Sequence, residues 1–196
     1  MRMFDDRYSR DRGRFEIALR FIRHEARTHT IRAWTGLSDD RIRKLYRFYL
    51  ADSGGAPLVR HRGKSPAQSA FFTCSARARQ ESALLASLWR LIGALPALRS
   101  REAAQRLPGL GRGELLCQGY DSYRALVNTP LISFEHAVFL ITALARGDEL
   151  TVAACGACHA LVVAERWSLR VPQCIACAPP AGSAGLSAEC RRSDAV

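Results

Sequence analysis

Four cysteines near the end of the chain, Cys155, Cys158, Cys174 and Cys177, constrain it more than any other feature. They form two Cys-x-x-Cys pairs separated by fifteen residues, a spacing typical of four-cysteine zinc sites. Two residues between cysteines let both sulfurs of a turn face one ion, and the stretch between the pairs is long enough for a hairpin that returns the second turn. The strands expected in that hairpin are Leu161–Ala164 and Trp167–Val171, with Glu165 and Arg166 at the reversal. So small a unit buries too little apolar surface to fold alone, and a bound ion would supply much of its stability. Four thiolates fill a tetrahedral zinc and leave no position for a reacting water, so the expected ion is a single structural Zn2+. Redox pairing and inert thiols are the competing readings, and neither accounts for two pairs at once. A redox Cys-x-x-Cys also opens a helix after a strand in a βαβ setting, which is missing here. His159, beside Cys158, reads as a surface residue rather than a ligand.

Seven cysteines, an odd number, suit a reducing compartment, where thiols serve metals or redox chemistry rather than disulfides. Residues 1–14 mix Arg with Asp and lack the apolar core of a secretory signal. No apolar run is long enough to span a bilayer. The expected location is the cytoplasm, with no membrane partner. The net charge of +11 is concentrated: residues 1–64 hold sixteen of the 29 Lys and Arg against eight of the 18 acids. A local field of that sign attracts polyanions, with nucleic acid the commonest inside a cell and an anionic membrane surface the rival, and charge alone does not choose between them.

Apolar periodicity places a basic helix over 15–27, with Phe15, Ala18, Leu19, Ile22 and Ala26 on one face and Arg20, Arg23 and Arg27 beside it. A second helix follows over 39–50. Ser38 stands at its N-cap, Asp39 and Asp40 lie in its first turn, and Ile42, Leu45, Tyr46 and Tyr49 form its apolar stripe. Arg43, Lys44 and Arg47 point the other way. Together, residues 28–50 suggest a helix-turn-helix with Gly36 in the turn. Three residues fit that motif poorly: Arg32 stands where a small residue usually lets the helices approach, and Asp39 and Asp40 oppose phosphate. DNA-binding and an ordinary solvated surface therefore both remain open from the residues alone.

The expected organisation is a flexible basic N-terminus (1–14), a helical DNA-binding module (15–52), a linker (53–66), a helical body (67–150), a zinc module (151–180) and a disordered tail (181–196). Within the body, one long helix is expected over 67–95, a short one over 100–106, another over 114–127, and one from Phe134 to a stop at Gly147. Gly109, Gly111 and Gly113 read as a flexible turn, and Trp34, Trp89 and Trp167 as packing residues. The fold class is mainly α with a small β-containing zinc module. No triad, paired carboxylates or nucleotide loop appears, so no enzyme is expected.

Three stretches resemble the FlhC family of flagellar transcriptional regulators. Leu37-Ser38-Asp39-Asp40-Arg41-Ile42-Arg43-Lys44-Leu45-Tyr46 is similar to the family's Leu-Ser-x-x-Arg-Leu-x-Lys-Leu-Tyr segment, Leu131 to Leu150 to the helix before its metal site, and Cys155 through Pro180 to its zinc cluster and trailing prolines. The resemblance covers residues 15–180. It implies an activator subunit that binds promoter DNA together with FlhD, in a heterohexamer of four FlhD and two FlhC chains, to activate flagellar operons. The four cysteines would be the zinc ligands, and Arg43, Lys44 and Arg47 would face DNA; the basic stripe of Arg20, Arg23 and Arg27, read from the helix pattern itself, supplies the other DNA-facing candidates. Departures are also plain. Ser65-Pro66-Ala67-Gln68-Ser69-Ala70-Phe71-Phe72 keeps only the outline of the family's segment there, and the basic stretch beyond the zinc site shrinks to Arg191 and Arg192. A zinc-stabilised interaction subunit, or a paralogue regulating non-flagellar genes, is the alternative.

Overall fold

The first helix, α1 (Arg2–Arg23), begins well ahead of Phe15 and takes in the segment expected to be a flexible N-terminus. It stops four residues short of Arg27 because the chain reverses there. Glu25 adopts left-handed backbone with φ 58°, while Ala26 N donates to Phe21 O and Glu25 N to Ile22 O, both at 2.9 Å. These are the two crossed bonds of a Schellman ending, completed by the burial of Ala26. The computed structural model describes residues 2–52, 61, 63–95 and 108–178. The expected helix at 100–106, most of the 53–66 linker and the 181–196 tail lie outside those residues.

After the reversal come α2 (Thr28–Thr35) and α3 (Asp39–Asp52), then a 3-10 turn at Ser69–Phe72, α4 (Ala76–Leu91), α5 (Leu110–Leu126) and α6 (Phe134–Arg146). Ser75 Oγ accepts from Ala78 N at 3.0 Å and Ser133 Oγ from His136 N at 3.3 Å, so α4 and α6 each begin on a serine cap. Gly147, with φ 66°, stops α6 as its spacing predicts. The single long helix expected over 67–95 is instead the short turn followed by α4, because Thr73, Cys74 and Ser75 interrupt it and Ser75 restarts the winding. A two-stranded antiparallel sheet, β1 (Leu150–Ala154) and β2 (Leu161–Glu165), closes the described fold.

One continuous core joins these elements, running from Ile17 and Phe21 through Trp34, Ile42, Trp89, Tyr123 and Phe134 to Leu150 and Val163. Two glycines let α5 enter it. A side chain at Gly113 would meet Ile17 Cγ2 at 3.2 Å, and one at Gly119 would meet Trp89 Cδ1 at 2.3 Å. The expectation of a flexible turn around Gly113 therefore fails: Gly111 and Gly113 are helical, and Gly113 is buried because α1 crosses close over it.

A carboxylate ties the N-terminal helices to this body. Glu135, in the first turn of α6 and 6% exposed, accepts from Arg27 N at 2.7 Å and from Thr30 Oγ1 at 2.9 Å. Arg27, the residue before α2, offers no capping oxygen, so Glu135 supplies one from across the fold.

His24 seals the neighbouring seam. Its ring stacks on Phe134 at 4.8 Å and meets Tyr120 edge-on at 5.1 Å, with Nε2 at 3.1 Å from Asp121 Oδ1. Burial pushes its pKa down to about 4, with Arg124, Arg20 and Arg23 adding repulsion and Asp121 opposing the shift. An unfolded histidine takes its proton near pH 6.5. The contribution is thus complete above about pH 6.5 and is lost as the pH falls towards 4, amounting to about 3 kcal/mol. Urea unfolding at pH 7 and pH 4.5 should show that loss in the wild type and not in His24→Phe. Equal losses in both proteins would refute it.

Candidate metal centre and nucleic-acid interface

The hairpin differs from its expected form in a way that explains how the four cysteines converge. The strands flank the first cysteine pair instead of following it: Ala154 pairs with Leu161, and Cys155 N donates to Ala160 O at 2.8 Å. Residues 155–160 thereby become the hairpin's own turn. His159 takes left-handed backbone with φ 60° to close it, and its N–H reaches Cys155 O at 3.0 Å. The stretch expected as a second strand, Trp167–Val171, is irregular and has no strand partner among the described residues. It leads back to the second cysteine pair, held to the first by Gly156 N donating to Pro172 O at 2.9 Å.

The four sulfurs of Cys155, Cys158, Cys174 and Cys177 all lie within 4.8 Å of one another, with Cys158 and Cys174 at 3.5 Å. Tetrahedral zinc with bonds of about 2.3 Å requires sulfurs about 3.8 Å apart, so the cluster fits a metal ion at its centre. His159 is not among the convergent ligands. Backbone N–H groups of Cys174, Cys158 and Ala157 pull the Cys155 thiol down to about 6. The bond from Cys174 N measures 3.3 Å. Cys177 is pushed up to about 12 by the neighbouring sulfurs of Cys158 and Cys174. The Cys155 thiolate thus forms easily and that of Cys177 resists, as expected of a cluster that would need a cation to hold four thiolates.

The six basic residues expected to face DNA divide into two groups. Arg20 is turned against α5. Burial works against its charge, yet its bonds to Glu114 and Asp121 outweigh that and raise its pKa. Arg23 donates through Nε to Tyr49 Oη at 2.9 Å. Arg27 is part-buried behind α2, and its Nε and Nη1 are buried without a hydrogen-bond partner. The other three lie together. Arg43, Lys44 and Arg47 are exposed on α3, opposite the buried Ile42 and Tyr46.

Residues 28–50 fold as a helix, a tight turn and a second helix. Gly36 adopts φ 70° and donates to Arg32 O at 2.8 Å, a turn conformation that favours glycine. The two objections to the motif are met by geometry. Arg32 does not block the helix contact, because its side chain is 61% exposed and lies 3.6 Å from Asp39 Oδ1. Asp40 is paired with Arg43 at 3.1 Å. Both acids in the first turn of α3 thus have cations beside them. An open groove of about 470 Å³ separates the starts of α2 and α3, lined by Arg27, His29, Arg32, Asp39 and Arg43.

Two exposed residues of α3 escape the sequence reading. Arg41 lies beside the Phe15 ring at 6.0 Å, and Phe48 is 78% exposed. The 100° step along the helix from Ile42 and Tyr46 places both outside the buried stripe, a signal that was available. No protein-family model matches the chain, and no curated protein matches it in sequence.

Proposed function

We propose that this chain is a DNA-binding transcriptional activator subunit of the FlhC type, acting with an FlhD-type subunit and carrying one structural zinc ion. The observation that carries the reading is the α2–Gly36–α3 turn, which presents Arg43, Lys44 and Arg47 on one outward helix face. A helix so placed enters the major groove while the preceding helix lies across the backbone. Positive charge on that face binds phosphates by displacing condensed counterions, and base contacts then select sequence. Zinc is the ion we assign because four thiolates in a closed tetrahedral set suit it and leave it no open position for catalysis. Flagellar operons as targets, and the assembly of four FlhD with two FlhC chains, follow from the resemblance in the Leu37–Tyr46 and cysteine segments.

The test is an anisotropy titration on flagellar promoter DNA across a salt series, with and without the FlhD-type subunit. Wild type should bind with steep salt dependence, and Lys44→Ala/Arg47→Ala should weaken binding and lower the salt slope by about 2. Absence of salt-sensitive binding by the wild type under both conditions would refute the DNA reading.

A further inference from the structure

Every residue from 165 to 171 is exposed, and three of them are large and apolar. Trp167 is 82% exposed, Leu169 103% and Val171 70%. This overturns the expectation that Trp167 packs, which holds for Trp34 at 5% and Trp89 at 0%. A loop with this much apolar surface would be costly to leave in water without a use. It is also held in place. Arg166 N donates to Glu149 O at 2.8 Å and Ser168 N to Glu165 O at 3.2 Å at one end, and Pro172 O accepts from Gly156 N at the other. Thr73 Oγ1 further donates to Glu165 Oε1 at 2.8 Å, fixing the end of β2 to the helical body.

Charge decides among the surfaces that could receive the loop. From residue 147 to 178 the only cations of Lys or Arg type are Arg166 and Arg170, against the acids Asp148, Glu149 and Glu165. That balance attracts neither a nucleic-acid backbone nor an anionic bilayer, both of which bind through clustered cations. A second copy of this chain also carries +11, so two copies repel as whole molecules. What remains is a protein surface. Arg166 and Arg170 flank the apolar tip, and neither has a carboxylate partner among the described residues. Their complement is a rim of carboxylates around an apolar groove. Trp and Arg are also the side chains that most often anchor such contacts, and a pre-formed loop has little order left to lose on docking.

We infer that the loop at 166–170 is a docking tip that inserts Trp167 and Leu169 into an acidic-rimmed apolar groove on a protein partner. Resting on the two-subunit reading above, the inference places that groove on the FlhD-type subunit. Val171 is left out of the anchor because its Cγ1 lies 2.6 Å from where a side chain on Gly156 would begin, so it also shapes the first cysteine turn.

The test titrates purified FlhD-type subunit into full-length, zinc-loaded chain by calorimetry. Trp167→Ala/Leu169→Ala should bind at least 30-fold more weakly, as should Arg166→Glu/Arg170→Glu, with zinc content and thermal unfolding unchanged. Emission from the exposed tryptophan should move to the blue when the wild type binds. Wild-type binding that both variants match within threefold would overturn the docking tip and leave the two-subunit reading standing. No binding by the wild type would overturn both. Loss confined to self-association, to anionic vesicles or to promoter DNA, with subunit affinity intact, would overturn the assignment in favour of that surface.

Discussion

Cys155→Ser is expected to release the bound metal, cost several kcal/mol of stability and disorder residues 155–160 and 166–178 while sparing much of the hairpin. The sulfur it removes is fully buried and is the one that three backbone N–H groups favour as a thiolate. A serine hydroxyl is shorter, holds its proton far more tightly and is a poor zinc ligand. The second cysteine turn has little else to hold it. Among the bonds described, Gly156 N to Pro172 O, Cys174 N to Cys155 Sγ and the contact of the Cys158 and Cys174 sulfurs are its links to the first turn, and all three converge on the cluster. The strands are better supported, because Leu150 and Val163 belong to the main core and β2 packs along α4. Metal binding to an unfolded peptide doubles as folding energy of about 10–16 kcal/mol. A hairpin already held by the body draws only part of that. Elemental analysis should fall from about one zinc per chain to none, and amide exchange should accelerate at 172–178 more than at 161–165. A variant that retained one equivalent of metal and kept slow exchange at 172–178 would refute this account. So would a wild type that, purified under reducing conditions, held no metal.

What could be foreseen from sequence divides along the range of the interactions involved. The four cysteines were readable because ligand spacing is a local property, and the helix ends at Gly36 and Gly147 were readable because a left-handed stop needs only one glycine. Trp167–Val171 misled because alternating apolar residues imitate a half-buried strand, and alternation does not reveal whether a partner strand exists. The true partner of Leu161–Glu165 precedes it, so the first cysteine turn lies inside the hairpin. Arg20 shows the same limit for charge. On a helical wheel it belongs with Arg23 on an exposed stripe, yet its carboxylate partners are 94 and 101 residues away. Gly113 looks like flexibility in sequence, but in the fold it, like Gly119, is the space that another helix's side chain fills. The exposed basic face of α3, with Arg43, Lys44 and Arg47, was readable because it depends on one helix with one buried stripe.

Glu81→Ala should destabilise the protein by about 3–5 kcal/mol, the cost typical of removing one member of a buried charged network. Glu81 is 5% exposed on α4, and three donors converge on it. Arg77 Nε lies at 2.7 Å and Leu131 N at 2.7 Å, and the Tyr123 hydroxyl donates to Oε2. Tyr123 Oη in turn accepts from Ile132 N at 3.2 Å. One carboxylate therefore fixes the α5–α6 connection at Leu131 and Ile132 against α4. Burial alone would raise its pKa, but the bonds from Tyr123, Arg77 and Leu131 outweigh burial and lower it. An acid held below its unfolded value of about 4.3 contributes its full stabilisation above that pH and loses it as the pH falls through the lower folded value. Alanine leaves a buried tyrosine hydroxyl and a peptide N–H unsatisfied, whereas Glu81→Gln keeps an acceptor for both and loses the charge and the acceptor for Arg77 Nε. The expected order in urea unfolding at pH 7 is therefore wild type, then Gln, then Ala. Only the wild type should carry the extra acid sensitivity below about pH 4 that comes from this carboxylate. If alanine cost less than about 1 kcal/mol, the net value of a single ordinary hydrogen bond, the three bonds would not act as a network, and the connection would have to be held by the apolar contacts of Ile132 and Phe134 and by bonds that bypass Glu81, such as Tyr120 Oη to Ile132 O.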